Sequence, residues 1–297
     1  MSTTRFGVSV STSAGEAADP VRDAIRAEKL GFDFVSASDH PCGDSPSFET
    51  WTMLTWIAAS TSRIGIATRV LGVPYRAPAM VAKMAESLDR LSGGRLILGL
   101  GAGYSDDEFR AFGLGVPSPR QKIDGLTEAI TVMRGLWTET DFTFAGSIHH
   151  TDHADLEPKP ARPIPIWLGT FGPRALAVTG RLADGWIPSH GYVAMDEVIA
   201  MRTRVLDAAC DAGRDPAELT CAYNVTVRID PAAAADPYRV AGSVDAVTDQ
   251  LAAFIDLGFT TLNLMPEGPD ADDQTELLAA KIIPALRSHP RGAAATR

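Results

Sequence analysis

The run Ser38-Asp39-His40-Pro41 sets a carboxylate beside an imidazole. Histidine titrates near neutral pH and can give or take a proton, while an adjacent carboxylate can fix its tautomer or bond a cofactor ring. The same pair could also simply satisfy backbone groups in a turn before proline. A second candidate is Gly169-Thr170-Phe171-Gly172-Pro173-Arg174, with Gly172 at a helix cap and Pro173 at the first helical position. Free N–H groups and the positive helix end make such a turn an anion site, and Arg174 could add charge to a phosphate contact. Its plain reading is a helix cap with a surface arginine.

A third stretch, Gly99-Leu100-Gly101-Ala102-Gly103-Tyr104-Ser105, nearly matches the dinucleotide fingerprint but carries Tyr104 where the third glycine belongs. The acid about twenty residues further on, Asp124, falls inside a predicted helix, which argues against a Rossmann site. The glycines more simply let the backbone run close beneath a flat ligand, or make a tight strand-to-loop turn. His149-His150-Thr151-Asp152-His153-Ala154-Asp155 holds metal-ligand types. It lies in an expected hairpin loop with nothing to hold ligand geometry, so a solvated loop is the reading and no metal is assigned. GxSxG, HExxH and P-loop motifs do not occur.

These residues need a scaffold, and the hydrophobic pattern provides one. Predicted strands Phe6 to Val10, Phe32 to Ser36, Ile64 to Val70 and Leu96 to Leu100 alternate with helices Asp19 to Leu30, Ser47 to Ser60, and Pro78 to Leu91. A helix over Arg120 to Trp137 follows, then strands at Ile166 to Leu168, Trp186-Ile187, Thr220 to Val227 and Thr261 to Leu264. Helices separate these strands, and a last one covers Asp272 to Arg287. Eight strand-helix units imply a parallel sheet closed into a (β/α)8 TIM barrel, with a doubly wound open sheet as the rival. Thr138 to Pro165 and Asp230 to Gly242 are expected as rim insertions, the first carrying a hairpin over Phe142 to Ile148. The tail after Arg287 is expected to fray. One domain over residues 1–297 accommodates all of this.

In such a barrel chemistry sits where strands end, which places Asp39-His40 after the second strand and the Gly172 turn after the fifth. Hydrophobic residues at 45% and charged residues at 22% fit a globular chain. The formal charge of −10 disfavours nucleic acid and anionic membranes and points to a small-molecule partner; any anionic ligand must be met locally. Three scattered cysteines, no signal-peptide pattern and no apolar run long enough for a bilayer suggest the cytoplasm.

Three blocks together resemble the luciferase-like monooxygenase superfamily over nearly the whole chain. They are Ser38-Asp39-His40; Ala67 to Leu71 ahead of Tyr75-Arg76-Ala77-Pro78; and Asp89 to Gly103. The later runs Pro165 to Leu176 and Arg181 to Pro188 also match. The Ser-Asp-His signature resembles the branch that uses the deazaflavin coenzyme F420. That resemblance implies hydride transfer between F420 and a small organic substrate, with Asp39 and His40 at the deazaflavin ring and His40 exchanging the substrate proton. It further implies a non-prolyl cis peptide at Arg69-Val70 behind the ring, cofactor contacts at Asp39, Thr68, Arg69, Val70, Gly101, Ala102 and Gly103, and a phosphate held by Gly169, Thr170, Gly172, Pro173 and Arg174. A homodimer is implied as well. The branch's sugar-phosphate dehydrogenase keeps a tryptophan four places after its histidine and an acid after its glycine turn. Here Asp44 and Tyr104 stand instead, which argues against that substrate. Two alternatives stay open: an FMN-dependent monooxygenase fed by a separate reductase, and a noncatalytic flavin-binding barrel.

Overall fold

The computed structural model describes residues 4–233 and 236–289. Eight parallel strands close a ring: β1 Arg5–Ser9, β2 Phe34–Ala37, β3 Gly65–Thr68, β4 Leu96–Gly101, β5 Ile166–Leu168, β6 Gly185–Trp186, β7 Thr220–Ile229 and β8 Thr261–Pro266. Closure is direct, with Thr261 of β8 opposite Arg5 of β1. The helices α1 Pro20–Leu30, α2 Thr50–Ser60, α3 Pro78–Ser92, α4 Pro119–Thr138, α5 Pro173–Leu182, α6 Met195–Asp211 and α7 Val244–Asp256 surround it. α8 covers residues 271–288 and contains a π turn at Leu278–Ile282. This is the TIM barrel, not the open sheet.

Local chemistry explains the helix ends. Proline opens α1, α3, α4 and α5, where its missing N–H is no loss. Gly31 and Gly93 close α1 and α3 at φ 85° and 74°, values that favour glycine. α2 starts at Thr50 rather than Ser47, because Ser47 bridges Ser13 and the Phe48 amide bonds Thr12, leaving Glu49 to cap the Trp51 and Thr52 amides. β2 starts two residues late because the Phe32 amide still satisfies the Ala27 carbonyl of α1. β3 stops at Thr68, ahead of the Arg69-Val70 peptide, which is cis.

Inside the ring, Phe34 and Trp167 meet edge to face at 5.8 Å and form a core of their own with Ala67, Ile97, Ile187 and Ala222. Two glycines make this plug possible. A Cβ on Gly7 would lie 2.2 Å from the Phe34 ring, and one on Gly185 would lie 2.5 Å from Trp167. A buried polar chain crosses the same interior. Ser36 Oγ donates to Asn263 Oδ1 (2.9 Å), Asn263 Nδ2 to Asn224 Oδ1 (2.8 Å), and Asn224 Nδ2 to Ser189 Oγ (3.2 Å). Each amide is used from both ends, as buried polar groups require.

The insertions differ from expectation in one respect. The hairpin pairs Phe142–Ala145 with His150–Ala154, so the histidine-rich run is a strand and not a solvated loop. Its turn lies on α4, where Glu128 accepts the amides of Ser147, Ile148 and His149, each at 2.8 Å. In the second insertion, Val240–Gly242 extends the sheet beside the end of β7. The tail from residue 290 onward lies outside the described residues.

Candidate active site at the barrel mouth

A cavity of about 680 Å³ opens over the C-terminal ends of the strands. It is bordered by the β2, β3, β4, β5 and β6 loops, with Asn224 of β7 also lining it. That size suits a small-molecule or cofactor site.

At the end of β2, Asp39 is buried and already engaged. Arg76 Nη1 and Nη2 donate to its two oxygens at 2.8 and 3.0 Å, and the Gly72 amide donates at 2.9 Å. Arg76 also reaches Glu49. Burial works against the Arg76 charge, but its bonds to Asp39 and Glu49 outweigh it and push the guanidinium pKa up. Through these bonds Asp39, which also lines the cavity, ties the loop after β3 to the end of β2.

His40 lines the cavity from an exposed position. Its Nδ1 lies 2.8 Å from Glu108 Oε1, and Tyr75 Oη donates to Glu108 Oε2 at 2.5 Å. Burial and the bond to Glu108 push the Tyr75 pKa up, so the hydroxyl stays a donor at neutral pH. Glu108 rides on a short helix, Asp106–Ala111, whose first turn is capped by Ser105. Gly103, at φ 94°, lets this helix approach, since a Cβ there would lie 2.4 Å from the Phe109 ring. Sequence reasoning missed Glu108, Tyr75 and the role of Arg76. The Ser105-x-x-Glu108 spacing, a helix-start signature, was the available signal.

Val70 packs against Gly101 of β4 and Gly169 just after β5. A Cβ on Gly101 would lie 2.7 Å from Val70 Cγ2, and one on Gly169 would lie 3.2 Å from it. Val70, Gly101, Ala102, Gly103 and Gly169 all line the cavity. Next to Arg69, the buried Thr68 hydroxyl donates to the Gly99 carbonyl at 2.7 Å.

Across the mouth, Gly172 precedes α5 with no side-chain cap, so the first-turn amides are free to meet an anion. Thr170 lines the cavity, but its hydroxyl is bonded to Thr179 Oγ1 at 2.7 Å. Arg174 is exposed on the rim and donates to Asp124 at 2.8 Å. Among the described residues no group of three or more His, Cys, Asp or Glu side chains is placed to hold a metal ion. No helix among them is long and apolar enough to cross a membrane.

The sequence profile of luciferase-like monooxygenases matches residues 1–256. The chain belongs to the luciferase-like monooxygenase family. Within that family it is 29% identical over 323 residues to the F420-dependent glucose-6-phosphate dehydrogenase of Intrasporangium calvum, covering 90% of this chain and 94% of that one. It is 37% identical over 238 residues to the F420-dependent hydroxymycolic acid dehydrogenase of Mycobacterium tuberculosis, covering 76% of this chain and 64% of that one. An F420-dependent secondary alcohol dehydrogenase solved with an F420-acetone adduct superposes with a TM-score of 0.86 at 24% identity. That match covers 96% of this chain and all of the other, a likeness of fold.

Proposed function

We propose that this chain is an F420-dependent oxidoreductase that moves a hydride between the deazaflavin and a small organic substrate at the barrel mouth. The observation that carries the reading is His40, gripped through Nδ1 by Glu108 at the edge of a cavity backed by glycines. Both of the relatives described above are named F420-dependent dehydrogenases, which supports the choice of cofactor.

The residues present fit such a group. The flat wall of Val70, Gly101, Ala102 and Gly169 suits a ring, and the uncapped start of α5 at Gly172-Pro173 suits a phosphate, with Gly169, Thr170 and Arg174 around it. When bound, F420 supplies a two-electron hydride carrier that handles oxygen poorly. The protein's part is orientation and proton transfer. Because Glu108 occupies Nδ1, His40 keeps Nε2 for the substrate. It takes the hydroxyl proton as an alcohol gives up its C–H hydride, and returns that proton in the reverse, carbonyl-reducing direction. Glu108, held by Tyr75, orients the ring and balances the imidazolium that forms. Asp39 and Arg76 fix the loop that carries His40. A single catalytic domain, a cytoplasmic location and a homodimer belong to the same reading.

Equilibrium binding of the purified protein to F420 and to FMN, each oxidised and reduced, tests it. Preference for F420 by about tenfold or more is expected. Preference for FMN would move the chemistry to oxygen-dependent monooxygenation, and binding of neither would remove the cofactor from the account.

A further inference from the structure

Four cations line the cavity among the described residues: Arg69, Arg120, Lys122 and Arg174. Three of them have carboxylate partners. Arg120 and Arg174 reach Asp124 at 3.3 and 2.8 Å, and Lys122 reaches Asp106 at 2.6 Å. Arg69 has none. Its Nε is shut off from solvent without a hydrogen-bond partner, and its Nη2 makes one long bond, 3.3 Å, to Ser9 Oγ at the end of β1. The nearby carboxylates are already taken: Asp39, which lines the cavity, by Arg76, and Glu108, behind its rim, by His40 and Tyr75.

An arginine cannot shed its proton to relieve burial, so an unpaired guanidinium in such a place is costly. Burial pushes its pKa down. The net charge of −10 repels anions at a distance, so an anionic ligand needs a local cation. The Arg69 backbone belongs to the cis peptide at the proposed ring site, and its side chain reaches Ser9 at the end of β1.

We propose that Arg69 is a specificity residue that receives a carboxylate of the substrate, so that this chain acts on small organic acids in preference to neutral alcohols or carbonyls. The planar fork of a guanidinium matches a carboxylate with two parallel hydrogen bonds, which also orients the molecule beneath His40. This deepens the function proposed above and rests on it for where the cofactor lies.

Calorimetric titration with carboxylate and carboxamide pairs of equal shape (acetate and acetamide, benzoate and benzamide, phenylacetate and phenylacetamide) tests it on the F420-loaded protein and on the protein alone. At least one acid is expected to bind about tenfold or more tighter than its amide, with affinity falling as salt rises. Arg69→Gln should erase that preference while changing the Kd for F420 less than about threefold, and Arg69→Lys should keep part of it. Equal binding of acids and amides by the unaltered protein would overturn the proposal. So would an acid preference that survives in Arg69→Gln, or a collapse of F420 affinity in that variant, which would assign the guanidinium to the cofactor. If the unaltered protein binds no F420, the function above fails, and the acid and amide titrations of the protein alone still decide the role of Arg69.

Discussion

Two sectors of one barrel mouth follow opposite plans. Around the ends of β2 and β4 and the loop carrying Arg76, the charged groups are matched before any ligand arrives, Arg69 alone standing apart. Asp39 is held by Arg76 and Gly72, Arg76 also by Glu49, and Glu108 by His40 and Tyr75. Around the end of β5 the donors are spare or exchangeable, with an uncapped α5 and an exposed Arg174 resting on Asp124. Proton transfer needs geometry fixed in advance, because a small misplacement of the acid or base is expensive in rate. A phosphate can be gripped by groups that exchange a weak surface partner for a stronger one.

If the first sector is a locked assembly, breaking one lock should cost most. Arg76→Ala leaves the Asp39 carboxylate buried without its charge partner, and a loss of about 3–5 kcal/mol in unfolding free energy is expected from urea titration. A loss below about 1 kcal/mol would mean that the pair is dispensable and the sector is not held this way. The next effect is on rate. With a turned-over acid in hand, His40→Ala should lower kcat/KM by about 10²- to 10⁴-fold while the Kd for F420 stays within about threefold. Unchanged turnover would remove His40 from the mechanism and favour a noncatalytic barrel.

How much of this division is visible in the chain itself depends on the range of the interactions. The helix starts at Pro20, Pro78 and Pro173, and the stops at Gly31 and Gly93, follow from local stereochemistry, and the pattern of eight units follows from hydrophobic runs. The place of Asp39 and His40 follows from their position just after a strand. Their partners do not. Arg76 lies 37 residues from Asp39, and Glu108 lies 68 from His40, so only the closed barrel brings them together. The bond from the Thr68 hydroxyl to the Gly99 carbonyl of the neighbouring strand spans 31 residues and is likewise invisible in the chain alone. The second hairpin strand, His150–Ala154, is too polar to be read as a strand; it forms because Phe142–Ala145 offers it a partner and Glu128 anchors the turn between them.

The smallest effect should come from the exchangeable sector, and it sharpens the contrast most. Arg174 is exposed, and to meet a phosphate it must leave Asp124, so part of what it gains from the ligand replaces an existing ion pair. Arg174→Ala is therefore expected to weaken F420 binding by only about three- to tenfold, with folding stability within about 0.5 kcal/mol of the unaltered protein. The remaining affinity should depend less on salt, because one exposed charge contact with the phosphate is gone. Titrations at low and high ionic strength separate the cases. Unaltered affinity and salt dependence would put the phosphate on the α5 amides alone. A loss as large as that expected for His40→Ala in rate, appearing here in binding, would mean that this sector is locked as firmly as the other.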